Sequence, residues 1–397
     1  MRLTHVMKMV LIITSIVFSS RSIADESKIP EPFRGENNLS GLTIDYHKLN
    51  KFLALTVVDM GRSGRKKVKD ISANMGTRLK NNRKKLTALE GNRFYFEAFK
   101  EDENKKVLHS IRVELESLPS KAPLHNFSKK EQLAYWLNLY NITLLDEIAA
   151  IYPKKLLENL FEGEDALVNQ KLLNVANIDL SLNDIKNVIV KEKYNQDPDI
   201  LYGFYQGVIG GPNIRKKAYT SANVYNALKD NAEEFVNSNR GTYSKNKHTF
   251  YISSLYERNA DYFPNFKADV KTHILKHLEG YHRSRLEVAS TVKARISNWH
   301  VTDIYGTVRR YGGSTNTNTA ALLNAVVTSG QGGGSNGLGS TMSASLAAAA
   351  GSQFGLLSPE QYEILSQLQG VYFKNAGTVT VTDIETESPK EDQKDKK

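Results

Sequence analysis

The sequence has no cysteine. That absence excludes a disulfide scaffold, a thiolate zinc site, an iron–sulfur cluster, a lipidated cysteine and a cysteine nucleophile. Long apolar runs are also missing beyond the N-terminus, so nothing after residue 24 is long enough to span a bilayer as a helix. No H-E-x-x-H, G-x-S-x-G or P-loop pattern occurs. The glycine-rich run QGGGSNGLGS has neither the preceding strand nor the following lysine of a nucleotide loop.

The first 24 residues predict a secretory signal peptide. Arg2 and Lys8 form its basic start, Met9 to Phe18 its apolar stretch, and Ser22-Ile23-Ala24 a cleavage site before Asp25. A membrane-spanning helix needs roughly 20 apolar residues, and this run stops at Ser19. The expected location is periplasmic or secreted. A cysteine-free exported chain cannot be stapled, so its core alone must hold it together.

The formal charge of +10 falls to +7 once residues 1–24 are removed. It is concentrated in one place. Between Gly61 and Arg93, eleven basic residues face only Asp70 and Glu90, a segment of +9, which leaves the rest of the mature chain slightly acidic. A local excess of this kind reads as a solvated charged face or as a binding patch. The candidate binding residues are Arg62, Arg65, Arg78, Arg83, Lys84, Lys85 and Arg93. The expected partner is an anionic envelope polymer or lipid surface; export argues against nucleic acid.

The 397 residues divide by composition. Residues 25–41 read as a linker and 42–311 as a globular body. Residues 312–397 read as a low-complexity, largely disordered tail, because Gly, Ser, Thr, Asn and Ala bury too little apolar surface to offset chain entropy. Within the tail, 358–368 predicts a short helix and 378–384 alternates like a strand. The body is expected to be helix-rich α+β with a small sheet. Its strongest signal is Lys129 to Ile151, apolar nearly all round and so predicted to be buried. Further helices are predicted over Ser181–Val190, Thr220–Asn237 and Asp269–Glu287, and strands over Tyr202–Ile209 and Thr249–Ser253.

Several residues could carry chemistry. Asn138 and Asn141 lie three apart on the central helix, where they either tie down a loop or line a cleft. Gly207, Gly210, Gly211 and Pro212 predict a tight turn whose amides could hold an anion, with Arg215, Lys216 and Lys217 nearby. His273 and His277 have the i, i+4 spacing of metal ligands, but His282 falls on another side of the helix. Two histidines alone make an incomplete site, so no metal and no cofactor are expected.

The run AYWLNLYNITLLDEIAAIYP resembles the hallmark helix of the family catalogued as domain of unknown function 547. Residues 178–190, 202–224, 252–263 and 296–306 resemble its later segments in the same order. The resemblance implies a related body over most of 42–311 and no defined reaction. Many members carry a histidine and two cysteines that align here with Leu201, Gln206 and Gly211. A glutamine amide cannot replace a thiolate nucleophile. The first expectation is therefore a non-catalytic envelope binding or interaction module. The alternative is a non-thiol hydrolase or transferase with Asn138, Asn141 and Gln206 lining its site.

Overall fold

The computed structural model describes residues 27–65, 87 and 90–303. The predicted signal segment, most of the basic segment and the predicted tail with its short helix and strand lie outside these residues. Two hydrophobic clusters make up the core.

The larger cluster surrounds the central helix. Helix α1 (His47–Thr56) leads into β1 (Val57–Val58), which pairs antiparallel with β2 (Arg93–Phe94). Helix α2 (Asp102–Lys121) then packs along α3 (Lys129–Ile151). The predicted bounds of α3 are the observed ones. Ser128 caps it by accepting a hydrogen bond from Glu131 N, and seventeen of its 23 residues are buried, as an apolar surface on every side requires. Replacing the wholly buried Trp136 by alanine would cost roughly 3–5 kcal/mol through the cavity it leaves.

A short hairpin follows, β3 (Leu173–Val175) against β4 (Ile178–Leu180). The helix predicted over Ser181–Val190 is a π-helical stretch, Asp184–Val190, running into the single turn α4 (Lys191–Lys193). Helix α5 (Val224–Val236) joins the two clusters. The second cluster packs under a three-stranded sheet of β5 (Thr242–Ser244), β6 (Thr249–Ser253) and β7 (Thr291–Ile296). Strands β5 and β6 are antiparallel, β6 and β7 parallel. The crossover between the parallel pair carries α6 (Ser254–Arg258), α7 (Phe266–His277) and α8 (Gly280–Glu287). This is a helix-rich α+β body. No described helix is long and apolar enough to cross a membrane.

Four expectations need correction. Tyr202–Ile209 is not a strand. It is a 3₁₀ helix, Pro198–Gly203, followed by irregular chain, because Gly203 and Gly207 lie where side chains of Leu137 and Ile148 leave no room for a Cβ. An apolar run buried on every side has no period from which to tell strand from helix. The helix predicted over Asp269–Glu287 is two helices, broken at Gly280, whose φ of +57° is left-handed. Residues 27–41 do not behave as a linker: Phe33 is wholly buried, edge-on to Trp136 at 5.0 Å. The Lys193 ammonium donates to the carbonyls of Phe33, Arg34 and Gly35 and fastens that stretch down. Finally, Arg93 belongs to the core.

Candidate functional site

The two central asparagines are spent on backbone. Asn138 donates from Nδ2 to Tyr219 O (2.8 Å) and accepts at Oδ1 from Tyr219 N (2.9 Å). One turn on, Asn141 donates to Gly203 O (2.9 Å) and accepts from Tyr205 N (2.9 Å). Each amide copies the paired hydrogen bonds of a strand neighbour for chain that has no strand beside it. Irregular backbone crossing a buried helix face must find donors and acceptors somewhere, and here two side chains supply them. Both residues also border a narrow crevice with room for little more than one water molecule, walled by Leu49, Leu53, Ile142 and Arg215. Gln206 does not line it.

Gln206 sits elsewhere, 5% exposed. Its Oε1 accepts from Arg258 Nη2 (3.1 Å). The same guanidinium donates to Ser254 Oγ (2.7 Å) and lies over the Trp299 ring at 4.5 Å. Gln206 also covers Gly211: a Cβ built there would stand 3.0 Å from the Gln206 Cβ and 3.2 Å from its Oε1. The two positions aligned with family cysteines are thus neighbours in space, and the longer side chain at one occupies the room of the other. This region is a packed joint. The sequence grouped Gln206 with the asparagines; the structure separates them.

The glycine turn does not present an anion nest. Ile209 N donates to His300 O (2.8 Å), Gly210 N to Asn298 O (2.8 Å) and Gly211 N to Val208 O (3.0 Å). All three amides are consumed by the segment at 298–302 and by the turn itself. These three amides are therefore not available to a ligand.

The described ends of the basic segment are held in one place. Arg65 donates from Nη1 to Thr242 O (2.6 Å) and from Nη2 to Val236 O (3.1 Å) and Thr242 Oγ1 (2.8 Å). Burial lowers its pKa to about 10, against the attraction of Glu90. At the other end Glu90 is 5% exposed. Its Oε1 accepts from Asn239 N (3.0 Å) and Nδ2 (2.8 Å), and its Oε2 from Arg240 N (3.1 Å). Ser63 Oγ donates to the same carboxylate, so both ends meet on Glu90. Arg93, counted with the patch on sequence, is 1% exposed and donates to Glu90 O. Burial, with Arg240 close by, brings its pKa down to about 10 despite Asp303, Tyr205 and Glu90. It cannot reach an external partner. Arg62 remains mostly outside, in contact with Glu233 at 3.3 Å. Arg78, Arg83, Lys84 and Lys85 lie outside the described residues.

A third constellation joins residues that the sequence holds far apart. His273 and His277 on α7 are both buried, and the fold brings Asp199 to them from the 3₁₀ helix. His277 Nε2 is 2.7 Å from Asp199 Oδ1, and His273 Nδ1 is 3.7 Å from the same atom. Lys276 Nζ takes Oδ2 at 2.5 Å. Burial alone would raise the Asp199 pKa, but hydrogen bonds from His277 and Lys276 outweigh it and hold the carboxyl well below its ordinary range. Burial pushes His273 down to about 4, against the pull of Asp199 and helped by His277 and Lys276, so its imidazole is neutral at pH 7. The histidine pair was visible as a spacing; Asp199, more than seventy residues earlier, had no sequence signal.

Residues 124–236, from the turn before α3 to the end of α5, match the family model described as "Protein of unknown function, DUF547". The matched stretch holds Asn138, Asn141, Leu201, Gln206 and Gly211. No curated protein and no solved structure matches the chain.

Proposed function

We propose that this protein is an exported, non-catalytic binding module that engages an anionic surface of the cell envelope through residues 66–89. The observation behind this reading is the clamp at Glu90. Arg65 and Glu90 tether the two ends of the segment to the 236–242 region of the body, and between them lie eight basic residues and only Asp70 in opposition, a charge of +7. A run of eight basic residues against one acid, with its two flanking residues anchored to the same part of the body, favours a polyanionic surface over a single small anion. The rest of the mature chain sums to zero, so the whole net charge of the mature chain resides in this segment. Against a hydrolase or transferase stands the state of its three candidates. Asn138 and Asn141 are committed to backbone and Gln206 to Arg258, which leaves no nucleophile–base pair among them.

The test is sedimentation of the mature chain with vesicles. Phosphatidylglycerol-containing vesicles should carry the protein down at low salt, and phosphatidylcholine vesicles should not. Equal recovery with both, or with neither, removes the reading. Export itself is tested by N-terminal sequencing of protein recovered from the periplasm, which should begin at Asp25.

A further inference from the structure

We propose that Asp199, His273 and His277 form a mononuclear transition-metal site of the zinc class, independent of the basic segment. The ligand atoms of these three residues all lie within 4.8 Å of one another. Two imidazole nitrogens converge on a single oxygen, Asp199 Oδ1, at 2.7 and 3.7 Å. Ligands of a tetrahedral zinc ion, bound at about 2.0–2.1 Å, stand roughly 3.3–3.4 Å apart, so small side-chain rotations bring the three onto a metal. The i, i+4 pair on α7 fixes two of the ligands on a rigid element, and Asp199 enters from a 3₁₀ helix packed beside it.

The surroundings of His273 favour a cation. Its second nitrogen, Nε2, is 2.8 Å from the Tyr202 hydroxyl, which is itself 3.0 Å from the Tyr256 hydroxyl, and all three side chains are buried. In the tautomer that donates Nε2–H to the Tyr202 hydroxyl, the Nδ1 lone pair is turned towards Asp199 and is available to a metal ion. A hydrogen bond from the uncoordinated nitrogen to a fixed partner is the usual way a ligating imidazole is oriented. The donor set, two imidazoles and one carboxylate, suits zinc and its neighbours in the first transition row, and poorly suits magnesium or calcium, which prefer oxygen donors. Three protein ligands leave a fourth position for solvent or a small anion.

Lys276 makes the site distinguishable from an ordinary ion-pair network. Its ammonium occupies Asp199 Oδ2 at 2.5 Å while its side chain is 61% exposed. A positive charge beside a bound cation weakens binding, so its removal must tighten it.

Titrating the full mature chain with cobalt(II), followed by its visible ligand-field bands and then by zinc displacement, tests the proposal. The wild type should bind one equivalent, with zinc displacing it. Asp199→Asn should lower cobalt affinity at least tenfold, and Lys276→Met should raise it several-fold. Absence of a cobalt spectrum at one equivalent overturns the site, as does a spectrum that Asp199→Asn leaves unchanged. If Asp199→Asn does not fold, Lys276→Met decides: tighter binding upholds the site, and unchanged or weaker binding overturns it.

Discussion

Replacing Asn141 by alanine removes two hydrogen bonds at once and leaves both backbone partners behind. Gly203 O loses its donor and Tyr205 N its acceptor, each bonded to this amide at 2.9 Å. Gly203 and Tyr205 are both buried, and Tyr205 is wholly so. A buried polar group left unpaired costs about 1–3 kcal/mol, so two orphans give about 2–6 kcal/mol, the lower half applying if water enters from the adjoining cleft. For a body of this size, 1 kcal/mol shifts Tm by roughly 2–4 °C, so the drop should lie between about 4 and 24 °C. Differential scanning fluorimetry on purified mature protein reads this directly. Urea titration should show a lower midpoint with an unchanged slope, since the native fold is weakened without being altered. Asn141→Asp keeps the shape and the acceptor but turns the donor into a second oxygen against Gly203 O, and should be no better than alanine at neutral pH. A Tm within 1 °C of wild type for Asn141→Ala, on the scale of that roughly 2–4 °C per kcal/mol, would refute the clamp and return Asn141 to the list of solvent-facing site residues.

Three other perturbations follow from the same geometry. In metal-free protein His273, held at about 4 among Asp199, His277, Lys276 and Tyr202, binds fewer protons when folded than when unfolded, so stability is full above about pH 6.5 and falls towards pH 4 by about 3 kcal/mol; chemical denaturation at several pH values should show that loss, much reduced in His273→Gln. Gly210→Ala would set a Cβ 2.6 Å from Asn298 N and 2.9 Å from Asn298 O, backbone that cannot yield, and should cost at least the upper end of the roughly 1–3 kcal/mol of overpacking, whereas Gly41→Ala, with nothing within 4 Å, should not move Tm. Arg65→Met strips three hydrogen bonds from one end of the basic segment and should lower stability by about 1–3 kcal/mol in urea titration while leaving the charges of residues 66–89 in place.

The elements that could be read from sequence are those with a clear period. Helix α3 was legible to the residue because an apolar surface on all sides and Pro153 just beyond its end agree with each other. Strand β6 was legible from its alternation. Helix α2 was missed: its apolar positions are thinly spaced among charges, and Pro119 near its end argues for a break. The stretch 202–209 misled because burial on every side erases the period that separates strand from helix. The site divides in the same way. Asn138 and Asn141 showed a shared helix face, but whether their partners were backbone or ligand depended on chain 62 to 81 residues away. Arg93 looked like its basic neighbours because sequence carries charge and not depth. Asp199 acquires meaning only when the fold sets it against His273 and His277.

The central claim is that residues 66–89 bind an anionic surface by charge, and the most direct measurement is vesicle affinity as a function of salt for wild type and the triple reversal Arg83→Glu, Lys84→Glu, Lys85→Glu. Each basic residue near an anionic bilayer contributes about 1 kcal/mol, so removing three costs at least about 3 kcal/mol, on the order of 100-fold in affinity, before the added repulsion of three glutamates. Wild-type affinity for phosphatidylglycerol-containing vesicles should fall steeply as salt rises and the charges are screened. The triple variant, with an unchanged Tm, should bind at least about 100-fold more weakly at low salt and show a much flatter salt dependence. Equal affinity and equal salt dependence for the two proteins would contradict the account.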